Sequence, residues 1–298
     1  MIGGFGGCAV DKISYISHWP EQEQTAYITE SLTIPGGMTL NALVSASRLG
    51  VQTSYRGAFG PDEEGEYLKA YLNGQGIQTD FSPQLPDGAT PCSQILTTPD
   101  GKRTIFHKRG IRDCDYRAEL KPELGGINVL LLDGSWMRNA LEWAKEAHRL
   151  KIPIVLDLSP NNTHPLRDKL ISLADYPVIS SMLAQKMTSL DNPRDQITAL
   201  QERFGGVILI TMGEKGLWYS SDRKLHYKKA FPVDPVDTTG AGDCFHGAMA
   251  AGISLGLSLE ETVNLAMASA ALKCCGRGHK AIPDFNKVQT YLKEQLLS

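Results

Sequence analysis

The sequence predicts an α/β fold with a doubly wound, mostly parallel central sheet flanked by helices. Short and almost wholly apolar runs at 128–133, 152–157 and 207–211 are typical of buried parallel strands. Residues 139–150, between the first two runs, have helical spacing. Ligands of such sheets bind at the carboxyl ends of the strands. We therefore expect the functional residues just after each strand.

Residues 14–34 and 92–107 interrupt this alternation, because each contains two strand-like halves with no helix between them. The Asp100-Gly101 pair, within the turn at 99–102, is a hairpin signal. The two segments predict a small antiparallel sheet beside the main sheet, as a flap or a dimer surface. The alternative is a pair of separate surface hairpins.

Composition excludes several classes of protein. The 298 residues are 42% hydrophobic and 21% charged, which excludes collagen-like, disordered and coiled-coil chains. The net charge of -3 argues against nucleic acid as the main partner, because phosphate binding needs a basic face. No signal peptide or long apolar stretch is evident, so we expect a cytoplasmic protein that does not bind membranes.

The cysteines give no sign of a zinc site or a disulfide framework. They stand singly or as one adjacent pair, without a Cys-x-x-Cys spacing: Cys8, Cys92, Cys114, Cys244, Cys274 and Cys275. Free thiols in a reducing compartment fit this pattern best.

The most informative segment is DTTGAGDCFHGA at 237–248. A strand-like run at 231–236 leads into it, Thr238 or Thr239 is expected to cap, and a helix is predicted over 244–254. The exposed amides of such a helix N-terminus form an anion site that suits a phosphoryl group. Asp243 in the first turn can accept a proton from a hydroxyl that attacks phosphorus. The alternative is an ordinary glycine-rich turn with an acidic residue after it.

A second segment, GGMTLNA at 36–42, precedes the first by about 200 residues. Together the two resemble the ordered signature regions of the ribokinase/PfkB family of carbohydrate kinases. The resemblance covers nearly the whole chain and implies one ribokinase-like domain over 1–298, with a lid formed by insertions at about 13–34 and 92–109. It also implies an ATP-dependent sugar kinase that uses Mg²⁺, acts on a small-molecule sugar and forms a homodimer through the lid.

The resemblance assigns catalytic and sugar-binding roles. The general base falls on Asp243 and the anion hole on the backbone of Gly240, Ala241 and Gly242. The sugar-binding positions fall on Asp11, Gly37 and Asn41. An Asp and an Asn suit a polyol because each can orient two or more hydroxyls. The alternatives are a strand-ending cap for Asp11, a helix-start cap for Asn41 and close packing for the glycines.

The resemblance also places the nucleotide. The strand and turn at 211–216 are similar to the family element beside the ATP phosphates and ribose, which implies binding by Thr211, Gly213, Gly216 and Thr238. A helix of small residues carrying Asn264, Ala268 and Ala271 would form one wall of the adenine pocket, followed by a flexible turn at 276–278. Ordinary helix packing is the alternative explanation for the small residues.

The metal ligands depart from the family pattern. Many relatives carry Asn-x-x-Glu where this chain has SSML at 180–183, so the carboxylate is missing. Magnesium is still expected, because the charge of ATP must be neutralised during transfer, but its protein ligands are left unassigned. Parts of the family bind a monovalent cation in the corresponding loop, which here implies K⁺ near Asp237 and Thr239.

Several cations bear on the choice of substrate. Lys108 and Arg109 end a predicted lid strand, Arg112 follows, and Arg138 lies near Trp136 after the strand that ends at Asp133. Arginine pairs bidentately with carboxylate, phosphate or sulfonate, so the cluster suits an acidic or phosphorylated sugar. The alternative is a solvated lid surface.

The motifs point to different sugars. GGxTLN is similar to the version in 2-keto-3-deoxygluconate kinases, whereas VDTTGAGDCFHGA and ALKC resemble sulfofructose and keto-sugar kinases. We expect a keto-sugar or sugar acid as the acceptor, and the alternative is a neutral hexose or pentose.

Two other functions are open at this stage. A nucleoside kinase of the same fold would use an aromatic clamp, for which Trp19 and Phe106 are candidates. A non-catalytic sugar-binding sensor would be expected to lose the base or the anion turn, and both are retained. The glycines at 3–7 do not form a dinucleotide fingerprint, because they lead into another strand-like segment rather than a helix.

Overall fold

A nine-stranded sheet, sheet A, forms the centre of the computed structural model, which describes residues 1–100, 102–111, 115–221 and 224–296. Seven of its strands run parallel, and the last two are antiparallel at one edge. The predicted doubly wound, mostly parallel sheet is confirmed. Its spatial order is β13 (Lys224–Lys228), β12 (Leu217–Ser221), β11 (Leu209–Thr211), β10 (Tyr176–Ser180), β9 (Ile154–Asp157), β8 (Val129–Leu132), β1 (Ile2–Phe5), β4 (Thr53–Tyr55) and β5 (Ile77–Gln78).

Helices cover both faces of sheet A. Because side chains alternate along a strand, Leu131 packs into the core under one set of helices, whereas Leu130 and Leu132 pack into the core under the other. No helix in the described part of the chain is long and apolar enough to cross a membrane. One face carries α1 (Met38–Arg48), α2 (Glu63–Gly74), α7 (Ala241–Ser254), α8 (Leu259–Cys274) and α9 (Phe285–Leu296), and the other carries α3 (Met137–Leu150), α4 (Arg167–Ile171), α5 (Ser181–Thr188) and α6 (Pro193–Phe204).

The two interrupting segments form one small sheet, sheet B. Its order is β3 (Ile28–Gly36), β2 (Ala9–Ile16), β6 (Cys92–Thr97) and β7 (Arg103–Lys108). The outer pairs are antiparallel as predicted, but β2 and β6 pair parallel, so sheet B is mixed rather than antiparallel. The reason is that each hairpin contributes its first strand to the centre, and the two first strands run in the same direction.

The strand predicted at 231–236 is absent from the structure, which describes this whole segment as irregular. Pro232 and Pro235 cannot donate to a strand ladder. The N–H groups of Val236 and Asp237 instead donate to the carbonyl of Cys274 at the end of α8, at 2.7 and 3.1 Å. The prediction failed because the apolar pattern does not reveal that a helix end supplies the hydrogen-bond partners.

The five cysteines that the structure describes form no disulfide, and Cys8, Cys92 and Cys244 are buried. Cys114 lies outside the described residues. This agrees with the free thiols expected from the spacing.

Candidate active site

The N-terminus of α7 presents backbone N–H groups at the edge of the fold. Gly240 is the N-cap with a φ of 76°, and no side chain caps the helix, so the expected capping by Thr238 or Thr239 is wrong. The carbonyl of Thr238 accepts from the Ala241 N–H at 3.2 Å. The amides of Gly240, Gly242 and Asp243 donate to no residue in the described ranges. Together with the helix dipole, these amides can bind an anion.

Asp243 lies in the first turn of α7 and is half-buried as a residue. Its Oδ2 accepts a 2.6 Å hydrogen bond from Nδ2 of Asn41 in α1. The structure therefore brings together the key polar residues of the two signature segments. The helix begins at Ala241, three residues earlier than predicted, which places Asp243 inside the helix.

Close packing of α1 against α7 makes that contact geometrically feasible. Gly247 lies one turn after Asp243, and a Cβ atom built on it would collide with the backbone carbonyl of Ala42. Nearby, Ser45 Oγ donates to the Cys244 carbonyl at 3.1 Å. The helices thus touch through backbone atoms at Ala42, next to Asn41.

Two residues beside Asp243 were not predicted as site residues. Asp157, at the end of β9, is buried, and its Oδ2 lies 3.2 Å from Nδ1 of His246. His246 Nδ1 also lies 2.7 Å from the Gly242 carbonyl. A carbonyl can only accept, so this contact requires a proton on Nδ1. His246 therefore links the glycine turn to Asp157.

Burial and like charges shift the acidity of this cluster. Burial raises the pKa of Asp157 to about 8, with a further contribution from the charge of Asp133. Desolvation and the charge of Asp157 raise the pKa of Asp243 to about 7, although the hydrogen bond from Asn41 opposes the shift. Burial lowers the pKa of His246, which favours its neutral form. The carboxyl of Asp243 is therefore poised to exchange a proton near neutral pH.

A signal for these residues was present in the sequence. Asp133 and Asp157 each end an apolar run, at the strand ends where ligands bind, and His246 follows Asp243 by three positions on a helix. The carboxylate of Asp133 fixes the backbone at Gly7 and Ser135, because it accepts from their N–H groups at 2.9 and 2.7 Å. It also accepts from Thr39 Oγ1 at 2.9 Å.

Gly37 is the N-cap of α1 with a φ of 106°, which a residue with a side chain rarely adopts. A Cβ atom there would lie 2.5 Å from the Gly7 carbonyl oxygen and 2.7 Å from Cys8 Cα. Close packing therefore suffices to require this glycine. Asp11 lies in β2 of sheet B, and a Cβ built on Gly36 would be 3.2 Å from its Oδ2. Its carboxylate has no hydrogen bond to the residues described.

The predicted cations divide into paired and free groups. Lys108 Nζ lies 3.8 Å from Asp62 Oδ2, and Arg138 Nε pairs with Asp115 Oδ2 at 2.6 Å. Arg109 is exposed and pairs with no described residue. Arg112 lies outside the described residues.

The three aromatic residues noted in the sequence differ in their exposure. Trp136 is buried, and its Nε1 donates to the Ile111 carbonyl at 2.7 Å. Trp19 and Phe106 are each about half exposed, at 50% and 53%. Of the three, only Trp19 and Phe106 are exposed enough to stack on a nucleobase.

The predicted nucleotide residues lie at the same sheet edge or on α8. Thr211 ends β11, two strands from β9 and therefore about 10 Å along the edge from Asp157. Gly213 is the first residue of a single 3-10 turn after it, and Gly216 is the C-cap of that turn. Thr238 is exposed. On α8, Asn264 and Ala271 are seven positions apart on one partly exposed face, whereas Ala268 is fully buried.

The position proposed for a monovalent cation already has a cationic side chain. The Nζ of Lys273, only 2% exposed, donates to the Asp237 carbonyl at 2.9 Å and lies 3.4 Å from its Oδ2. Burial acts to raise the pKa of Asp237, but the N–H of Thr239, Lys273 and the N–H of Gly278 outweigh it, so the pKa is lowered. Thr239 takes part through that N–H, at 3.0 Å from Asp237 Oδ1.

The described residues show no cluster of side chains that is typical of a metal site built by protein alone. No group of three or more His, Cys, Asp or Glu side chains within the described ranges could hold a metal ion. Ser180, the first residue of the SSML segment that stands in place of Asn-x-x-Glu, caps α5 by accepting from the Leu183 N–H at 3.3 Å. Magnesium would accordingly enter with the nucleotide, whose phosphates supply the ligands.

Two cavities occur elsewhere on the surface. One of about 530 Å³ lies at the rim of sheet B near Trp19 and Thr98, and one of about 420 Å³ lies beside Arg56 and Trp143. Neither is lined by Asp243 or Asn41.

Similarity to known proteins extends over most of the chain. The sequence model of a family described as pfkB family carbohydrate kinase matches residues 7–284. The chain is 28% identical over 292 residues to a protein of Bacillus subtilis (strain 168) named ribokinase, covering 96% of this chain and 97% of that protein. It is 28% identical over 314 residues to fructokinase-1 of Oryza sativa subsp. japonica, covering 95% and 94%.

A solved structure shares the fold. The Arabidopsis thaliana ribokinase complexed with ribose and ATP has a TM-score of 0.86 at 22% identity, with 98% of each chain covered. At this identity the likeness shows the architecture alone.

Proposed function

Because the chain belongs to the pfkB family of carbohydrate kinases, a family of phosphotransferases with alcohol acceptors, we propose that it transfers the γ-phosphate of ATP to a hydroxyl of a keto-sugar or sugar acid. The observation that carries the proposal is the 2.6 Å contact of Asn41 with Asp243 beside the free amides of α7. It puts a base and an anion site in the first turn of α7, with a polar side chain of α1 beside them to contact the sugar.

Asp243 acts as the general base in this proposal. Its pKa of about 7 means that a useful fraction is ionised at neutral pH and can take the proton of the attacking hydroxyl. The amides of Gly240 and Gly242 bind the oxygens of the transferring phosphoryl group. Ala241 contributes less than predicted, because its N–H already donates to Thr238.

The sugar would be held between sheet A and sheet B. Asn41 contacts Asp243, and the carboxylate of Asp11 has no hydrogen bond to a described residue, so it is free to accept from sugar hydroxyls. Sheet B would then act as the lid that excludes water, which keeps ATP from being hydrolysed. Gly37 shapes this region by allowing α1 to start against Gly7.

The acceptor class rests on two kinds of support. Fructose, named in fructokinase-1, is a keto-sugar. Among the cations predicted at the site, Arg109 alone in the described part of the chain is exposed without an ion pair, which leaves it free for an acidic group. Lys108 and Arg138 would have to leave their carboxylate partners first.

ATP is proposed as the phosphoryl donor, supplied as its magnesium complex. The ribokinase of Arabidopsis thaliana was solved with ATP, and this chain has the same architecture. Thr211, Gly213, Gly216, Thr238, Asn264 and Ala271 are proposed to contact the nucleotide. We do not propose K⁺ at Asp237, because Lys273 already supplies a positive charge there.

A homodimer through sheet B is proposed as the assembly. Several large apolar side chains of this sheet and its hairpin are exposed, among them Tyr27, Ile28, Leu32, Ile105 and Phe106. Ile105 and Phe106 are consecutive in β7 and therefore lie on opposite faces of the sheet. Exposed large apolar side chains of this kind are typical of protein interfaces.

The test is a coupled assay of ADP production with ketoses, sugar acids, sugar phosphates and nucleosides. We expect turnover with a ketose or sugar acid, and loss of about 10²–10⁴ in kcat for Asp243→Asn with both substrates still bound. Asp234→Asn, which changes an exposed carboxylate nine positions earlier in the chain, is the matched control.

Each other outcome has a defined meaning. Near-normal turnover of Asp243→Asn would overturn the role of the base. Turnover of nucleosides alone would establish the nucleoside kinase. Sugar binding by calorimetry with no ADP formed from any acceptor would indicate a sensor. For the acidic acceptor, Arg109→Gln should raise the KM for a sugar acid and leave that for a neutral ketose unchanged.

A further inference from the structure

A chain of four side chains extends from Asp243 away from the reacting atoms. Asn41 Nδ2 donates to Asp243 Oδ2 at 2.6 Å, and Asn41 Oδ1 lies 2.6 Å from His279 Nε2. His279 Nδ1 in turn lies 2.7 Å from the hydroxyl of Tyr71. His279 is 238 positions from Asn41 in sequence, and no motif singled it out.

The chemistry of these groups fixes the direction of every bond. Asp243, when ionised, can only accept, so the amide nitrogen of Asn41 must face it and the amide oxygen must face His279. Nε2 of His279 must then carry the proton, and Nδ1 accepts from the Tyr71 hydroxyl. The neutral imidazole satisfies all these contacts. Burial lowers the pKa of His279 to about 4, and the charges of Arg48 and Lys273 add to the shift, so the neutral form predominates at neutral pH.

The backbone around His279 is held by hydrogen bonds that lie outside this chain of four side chains. Arg48 Nη1 donates to the carbonyls of His279 and Ile282 at 2.7 and 2.9 Å. The rings of Tyr71 and His279 lie 5.4 Å apart. The imidazole therefore projects from a fixed backbone toward Asn41.

From this arrangement we propose that His279 is a positioning residue, which holds the Asn41 amide in the orientation that donates to Asp243. An Asn amide without this partner can rotate by half a turn and turn its oxygen toward the carboxylate. In the rotated orientation, the amide oxygen of Asn41 would repel the carboxylate of Asp243. The amide would also present its oxygen and nitrogen to a sugar hydroxyl in exchanged positions. The proposal rests on the proposed function, since it assigns a purpose to the same base.

The experiment measures steady-state kinetics of His279→Leu, His279→Gln and Tyr71→Phe with the acceptor found in the screen. His279→Leu removes the donor, and we expect kcat/KM for the sugar to fall at least about tenfold while KM for ATP stays within about twofold. The amide of His279→Gln can donate to Asn41 again, so we expect most of the activity to return. Tyr71→Phe should give a smaller loss of the same kind.

A structural role would not produce this pattern. If His279 only supported the fold, the Gln variant would not rescue, and the loss would follow the fraction of folded enzyme seen by circular dichroism. The loss caused by His279→Leu should also vanish in an Asn41→Ala background, because the two residues act in series. His148→Leu, an exposed histidine of α3, is the control.

The proposal would be overturned if His279→Leu left the sugar kinetics unchanged, or if it caused the same loss in the wild-type and Asn41→Ala backgrounds. Neither result would contradict the proposed kinase function. Absence of turnover by the wild-type protein would instead overturn the proposed function. Nitrogen-15 NMR of the histidines separates the two cases. The spectrum should show the Nε2–H tautomer for His279 in the free protein. An Nδ1–H tautomer would contradict the proposed hydrogen bond from His279 to Asn41, whether or not the enzyme is active.

Discussion

Asn41 and Asp243, 202 positions apart in sequence, share a 2.6 Å hydrogen bond across the contact of α1 with α7. The contact joins the two segments that resembled a kinase signature. It also has a measurable consequence, because a hydrogen bond to the ionised carboxyl lowers its pKa, against the larger upward shift caused by desolvation and Asp157.

The activity should depend on pH near neutrality. The base must be ionised, and its pKa is raised to about 7, so kcat/KM for the sugar should fall about tenfold per unit as the pH drops below 7. An unshifted carboxyl would keep full activity down to about pH 5. Rates from pH 5.5 to 9 at saturating MgATP measure this, and a flat profile over that range would contradict the assignment of the base.

Asp157→Asn tests the cause of the shift. Ionisation of one of these two carboxyls opposes ionisation of the other, so a neutral amide at position 157 should lower the apparent pKa of Asp243 and move the acid limb of the profile to lower pH. The two carboxyls titrate as a pair, so the profile reports the pair. The control variant Asp234→Asn should leave the acid limb of the pH profile at its wild-type position.

Gly247→Ala should weaken the contact of α1 with α7. The added methyl group collides with the Ala42 carbonyl, so the helices must separate, and we expect a loss of about 1–3 kcal/mol in the free energy of unfolding. Separation also lengthens the bond from Asn41 to Asp243, so kcat should fall. Urea unfolding and sugar kinetics measure both effects.

Gly74→Ala is the matched helical control, because nothing lies within 4 Å of a Cβ atom built there. Alanine favours a helix over glycine, so this variant should be as stable as the wild type or slightly more. Equal stability of the Gly247 and Gly74 variants would show that the close approach is unimportant.

Lys273→Met should make the activity depend on a monovalent cation. The wild-type ammonium already serves the Asp237 carbonyl and carboxylate, so K⁺ should not stimulate the wild-type enzyme. In the variant, the turn before Gly240 loses its positive charge; kcat should drop, and K⁺ at constant ionic strength should restore part of it. Choline as the replacement cation should not.

Lys229→Met, which removes an exposed lysine, is the control for loss of charge. Stimulation of the wild-type enzyme by K⁺ would contradict the assignment to Lys273. A Lys273→Met protein that unfolds at a lower temperature but shows no rescue by K⁺ would mean that the lysine serves stability alone.

The fold could be predicted to a large extent from local patterns. The runs at 128–133 and 152–157 and the helix between them appear as β8, β9 and α3, because burial on both faces of a parallel strand demands a continuous apolar sequence. The hairpin strands were also found. The strand at 231–236 was not, because its two prolines and a helix end decide its hydrogen bonds.

The sequence by itself determined the alternation of strands and helices, the glycine turn before α7 and the residue types Asn41 and Asp243 at its signature positions. Only the tertiary structure decided that these two side chains meet, that Asp157 and His246 stand beside them, that β2 and β6 run parallel, and that Lys273 and His279 reach the site. The reason is that periodicity and turn chemistry act between neighbours along the chain. Hydrogen bonds and pKa shifts depend on distance and burial in space, which residues far apart in sequence acquire only when the helices and sheets pack.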